Sequence, residues 1–142
     1  MLIKQISVFI ENRTGRLREI TTVLRDAGID IRAMSVADTT DFGILRLIVD
    51  KPEEAQRALA NAKMTVSITS VIGIAVSDRP GGLCSALDIL FNEGVAVEYC
   101  YAFISHASEN AHVILRVDNN ERAVKALSDA GFQFLSASEL YQ

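Results

Sequence analysis

The sequence predicts an α+β protein of two tandem βαββαβ units, residues 1–70 and 71–142, each an antiparallel sheet with its helices on one face. Three observations carry that reading. The first is internal repetition. A shift of 66 residues lays Arg13-Thr14-Gly15-Arg16-Leu17 on Arg79-Pro80-Gly81-Gly82-Leu83, and Gly28-Ile29-Asp30-Ile31 on Gly94-Val95-Ala96-Val97. Past a two-residue insertion the shift becomes 68, and Leu47, Val49, Asp50, Glu53, Ala55, Leu59 and Ala62 recur as Leu115, Val117, Asp118, Glu121, Ala123, Leu127 and Ala130. The second is a hydrophobic period that switches between strand-like and helix-like along each copy. The third is composition: 142 residues, 49% hydrophobic and 23% charged, suffice to bury the cores of two minimal domains.

In the first copy Ile6, Val8 and Ile10 alternate with Ser7, Phe9 and Glu11, a half-buried strand over 5–10. A helix follows from about Gly15, with Leu17, Ile20, Leu24 and Ala27 spaced as one buried stripe, and Gly28 stops it. Strands over 29–37 and 42–50 flank Asp38-Thr39-Thr40-Asp41, whose side chains suit a hairpin turn. Pro52-Glu53-Glu54 opens a second helix, Ala55, Ala58, Leu59 and Ala62 give it a small apolar face, and strand four covers 64–68. The second copy places strands at 71–76, 95–104, 111–118 and 132–136, helices at 81–92 and 121–129, and a longer hairpin loop at 105–109. Because residues 64–76 are β-type throughout and contain no proline, strand four of the first copy should run straight into strand one of the second. Right-handed crossovers fold such a string into the split-βαβ, ferredoxin-like plan.

That plan leaves one face of each sheet without helices. On strand three this face carries Ile44, Arg46 and Ile48, and in the second copy His112, Ile114 and Arg116. A half-apolar outer face suggests sheet packing against the other unit or against a second chain, and for a chain this small a homodimer is the simplest closed solution.

Several function classes lose support. Fourteen basic against eighteen acidic residues give a net charge of −4, no footprint for nucleic acid, and strand three of the first copy lacks the stacking aromatics of an RNA-binding sheet. Cys84 and Cys100 stand alone, Cys100 reading as core and Cys84 as helix face, so neither a disulfide framework nor a metal site is written. With no exporting leader pattern and no long apolar run, the expected location is the cytoplasm, away from membranes. His106 and His112 neighbour no activated nucleophile, and no nucleotide-binding glycine motif is present, so neither catalytic residues nor a cofactor is expected.

The informative stretch is the turn from strand one into the first helix of each copy. Asn12 and Asp78 stand three residues before Gly15 and Gly81, an arrangement that helix capping alone would explain. It also suits a ligand: N–H groups at Gly15, Arg16 and Leu17 can hold a carboxylate, while Asn12 and Asp30 can hold an ammonium group. These residues resemble the (Asn/Asp)-Arg-Pro-Gly-x-Leu…Gly-(Ile/Val)-Asn-Ile pattern of ACT domains, in both copies and over essentially the whole chain. The pattern is departed from at Thr14, at Asp30 and at Ala96, which removes the polar group altogether.

The resemblance implies a small tandem ACT protein that binds an amino acid at interfaces between modules. By motif match its ligand residues are Asn12, Arg13, Gly15, Arg16, Leu17 and Asp30 in the first unit, and Asp78, Gly81, Gly82, Leu83 and Ala96 in the second. The expected role is a non-catalytic, allosteric amino-acid sensor, homodimeric and acting on an amino-acid metabolic enzyme. The alternatives are a protein-only regulatory subunit, which an exposed apolar face at Leu87 and Phe91 would favour, and a small ferredoxin-fold enzyme.

Overall fold

The computed structural model describes residues 2–38, 41–104 and 110–140, so the hairpin turn at 39–40 and the loop at 105–109 with His106 lie outside the described residues. The chain divides into two compact units. The first holds residues 4–69 with 138–140, the second Leu2 and Ile3 with Ser70–Ala137.

The first unit follows β1 (Leu2–Glu11, from Lys4 onward), α1 (Arg16–Asp26), β2 (Ile31–Asp38), β3 (Phe42–Val49), α2 (Pro52–Asn61) and the opening half of β4 (Thr65–Ser77). Its strands lie in the order β4-β1-β3-β2. β3 is antiparallel to both its neighbours, with Val8 opposite Leu45 and Leu45 opposite Val36. The second unit reuses the far half of β4 and continues through α3 (Gly82–Asn92), β5 (Val97–Ile104), β6 (Asn110–Val117), α4 (Asn120–Asp129), β7 (Gln133–Phe134) and α5 (Ala137–Leu140). Its order is β7-β4-β6-β5, the same topology. β4 is one uninterrupted strand, as its lack of proline predicts.

Each core is the helix-side face of one sheet. Ile6, Val8, Ile10, Leu45, Leu47 and Val49 pack with Ile20, Leu24, Ala55 and Leu59; Ile72, Ile74, Val76, Val113, Leu115 and Val117 pack with Ala86, Leu90, Ala123 and Leu127. Both helical stripes are shorter than predicted. Leu17, in the first turn of α1, is exposed, and Ala27 and Ala62 are exposed because they are the C-caps rather than interior turns. Cys100 is exposed, not core: it stands opposite Leu115 on the helix side, but on the edge strand β5 beyond the helices' cover.

The outer faces carry buried residues beside exposed ones. Ile48 and Ile114 are both 0% exposed, although neither belongs to a helix-side core. In the second unit Ile3 and Leu135 supply cover: a Cβ on Gly73, which pairs with Ile114, would meet the Ile3 side chain and stand 3.2 Å from Leu135. The predicted strand over 132–136 shrinks to the two residues of β7, because the chain leaves β4 after Leu135 donates its N–H to Gly73 (2.8 Å). α5, which the sequence did not suggest, then brings the buried Leu140 into the first unit. Ile44, Phe9 and Phe42 stay exposed on that unit's outer face, the two rings 4.9 Å apart.

Asp50 and Asp118, recurring after strand three in each copy, brace the start of β2 and β5. Asp50 Oδ1 accepts from the Asp30 N–H (2.9 Å) and the Asp50 N–H donates to the Asp30 carbonyl (3.2 Å); Asp118 repeats both bonds with Ala96 at 3.0 and 3.1 Å. We expect Asp50→Ala and Asp118→Ala each to cost about 1 kcal/mol. Thermal melts should show both losses, largely restored by Asn, whereas unchanged melts would show the braces to be idle.

Candidate functional site

In both units the strand-to-helix turn ends in a glycine with positive φ, Gly15 at 86° and Gly81 at 91°, a conformation that L side chains enter at a cost of roughly 1–2 kcal/mol. These glycines, not Asn12 or Asp78, are the N-caps, and a glycine brings no side chain to the helix start. Asn12 and Asp78 therefore stand outside the N-cap position itself. With glycine at the cap, the positive end of each helix dipole faces the turn.

Around the first turn, the Asn12 N–H donates to the Asp41 carbonyl (3.0 Å), the Arg13 N–H to the Glu11 carbonyl (2.9 Å) and the Arg16 N–H to the Arg13 carbonyl (3.3 Å). A cavity of about 200 Å³ opens here, walled by Asn12, Arg13, Arg16 and Leu17 with Glu11 and Val36. Glu19, one helical turn beyond Arg16, ties its charges together. Its carboxylate accepts from Arg16 Nη1 at 2.9 Å and from Arg13 Nη1 at 3.2 Å, and Glu11 stands 3.5 Å from Arg13 Nε. Hydrogen bonds from Arg16 and then Arg13 hold the Glu19 carboxyl below its ordinary range, and the same bond holds the Arg13 guanidinium above its own. Arg16 is largely buried, and its Nε has no hydrogen-bond partner among the described residues.

Asp30 is elsewhere. It ion-pairs with Arg32 at 3.2 Å and lines a second cavity of about 370 Å³ with Thr21, Arg25 and Gly28. Within the unit, then, Asn12, Arg13, Arg16 and Leu17 share one cavity and Asp30 another.

In the second unit Asp78 is exposed on the turn, and the Gly82 N–H donates to the Arg79 carbonyl (3.0 Å). The Gly81 carbonyl accepts from both the N–H and the hydroxyl of Ser85, each at 3.0 Å. Leu83 packs against the core, while Ala96 is held by Asp118 at the start of β5. Sequence reasoning missed Glu19, whose i,i+3 spacing from Arg16 was its signal, and Val36, whose side chain reaches the cavity only through the β2–β3 pairing. Among the described residues no cluster of His, Cys, Asp and Glu is placed to hold a metal ion, and no helix is long and apolar enough to cross a membrane.

The family described as an ACT domain pair matches residues 1–142. The crystal structure of protein BT0572 from Bacteroides thetaiotaomicron is similar at 40% identity over 100% of this chain and 97% of that one, with a TM-score of 0.94. The ligand-free regulatory subunit of aspartate kinase from Thermus thermophilus shares the fold at 18% identity, over 92% and 94% of the two chains, with a TM-score of 0.65. That subunit from Thermus flavus gives 17%, 89%, 91% and 0.60. No curated protein matches the chain.

The depressed Glu19 sets a pH dependence. Its ion pairs are at full strength above the pKa of a carboxyl in the unfolded chain and are lost as pH falls through the lower folded value. A carbon-13 titration should place Glu19 below the ordinary carboxylate range and show the Arg16 guanidinium signals broadening with it. Glu19→Gln should abolish that broadening, and an ordinary Glu19 titration would contradict the pairing.

Proposed function

The chain belongs to the ACT domain pair family, and on that premise we propose that it is a non-catalytic regulatory protein that binds an amino acid. The observation that carries this reading is the first unit's cavity. Its wall brings the Arg13 and Arg16 guanidinium groups and the Glu11 carboxylate to the start of α1, with Glu19 bridging the two arginines, so both ends of a zwitterion find an opposite charge. The exposed Leu17 and Val36 beside these charges give the mouth an apolar rim suited to a second module closing over it. In this reading Asn12, Arg13, Gly15, Arg16 and Leu17 form one half of the site, and a strand-two residue such as Asp30 or Ala96 from another module supplies the other.

The working assembly is a homodimer in the cytoplasm. The exposed Phe9, Phe42 and Ile44 on the outer face, with Met34 and Val36 on the edge strand, supply apolar surface for it. Its target is an enzyme of amino-acid metabolism. The regulatory subunits of aspartate kinase, alike in fold, make that class the first to test. Regulation then requires that ligand favour one arrangement of modules over another.

A second reading, a subunit that binds protein alone, is favoured by one feature. Phe91 on α3 is 81% exposed, with Cys84 exposed and Leu87 half-buried on the same helix face, where α1 carries Arg25, Arg18 and Thr21.

A thermal-shift screen of the twenty amino acids separates the two. At a ligand concentration of about one hundred times Kd, binding stabilises by about 2.7 kcal/mol, a rise in melting temperature of roughly 5–10 °C for a chain of this size. No rise with any amino acid would favour the protein-only reading. Light scattering should return twice 15.5 kDa at micromolar concentration, and a monomer throughout would remove the dimer.

A further inference from the structure

The two turns share their glycine cap but not the residue after it, which is Arg16 in the first unit and Gly82 in the second. Gly82 has no room for a side chain: a Cβ there would collide with the Ser77 carbonyl oxygen and stand 3.0 Å from its carbonyl carbon. The end of β4 therefore packs directly against the first residue of α3. That contact is backbone on both sides, so it cannot yield by rotating a side chain.

Arg16 carries a Cβ at the matching position, and the strand end before it takes a different course. The Glu11 carbonyl, counterpart of Ser77, accepts the Arg13 N–H at 2.9 Å. The 200 Å³ cavity lies beside this opened turn, with Arg16 in its wall.

We propose that the residue after the glycine cap decides which unit receives ligand: Gly82 lets the strand end close over the start of α3, Arg16 holds the start of α1 open, and each chain has one ligand-receiving turn. The inference rests on the amino-acid-binding reading and adds a stoichiometry and a cause to it. The deciding feature is the β-carbon of Arg16, separate from any contact its guanidinium makes with ligand.

Calorimetric titration with each of the twenty L-amino acids, on the wild-type chain and on Arg16→Ala and Arg16→Gly, tests it. The wild type should show one site per chain for any amino acid that binds. Arg16→Ala keeps the β-carbon, and Arg16→Gly, which allows the turn to close, should bind at least tenfold more weakly than Arg16→Ala. Circular dichroism melts verify that both variants fold, and Gly82→Ala should lower the melting temperature more than Arg16→Ala does, a difference read without ligand. Two equal sites per chain, or equal affinity of the two Arg16 variants, would overturn the inference and leave amino-acid binding standing. Absence of heat with all twenty would overturn the binding reading and this inference together.

Discussion

A sheet covered by helices on one side has a single permitted register, because shifting a strand by one residue would turn its whole apolar set to the other face. Ile6, Val8 and Ile10 in one unit, and Ile72, Ile74 and Val76 in the other, are that set here, buried beneath the helix pairs. Once they are fixed, β1 must end at Glu11 and β4 at Ser77, so the turns into α1 and α3 begin at matched heights above matched sheets. The glycine caps, the helix starts and the cavity beside Arg16 all inherit their positions from this alternation.

On that shared frame the two units have diverged in chemistry. The braces at Asp50 and Asp118 act on backbone atoms, so they hold equally well whether the braced residue is Asp30 or Ala96. Side chains facing solvent or cavity have been free to change, and α1 and α3 show how far: Arg18, Thr21 and Arg25 on one, Cys84, Leu87 and Phe91 on the other. A polar helix face beside an open turn and an apolar face beside a closed one suit different tasks.

The charge arrangement at the first turn bears on how ligand would act. The exposed Arg13–Glu19 pair contributes little to stability, so in the proposed binding reading the Glu19 cluster serves mainly to hold Arg13 and Arg16 in place before ligand arrives. Side chains already ordered lose less entropy on binding, leaving more of the interaction energy for a change in module packing.

Much of this was legible in the sequence. The duplication, the order of strands and helices, both cores and the place of the turn glycines follow from local period and from what glycine and proline permit, and those constraints act within a few residues. Tertiary structure decided what depends on distant backbone. Ile48 and Ile114 read as outer-face residues yet are buried, in the second unit through Ile3 and Leu135, which arrive from opposite ends of the chain. β7 is two residues long, and the bond from Leu135 to Gly73, some sixty positions upstream, is the last tie before the chain leaves β4. Asn12 and Asp30, paired by motif, line separate cavities because α1 lies between them in the chain and carries them apart. The difference between an open and a closed turn rests on whether a strand carbonyl touches the helix start, a contact that the sequence marks only as Arg16 in one copy and Gly82 in the other.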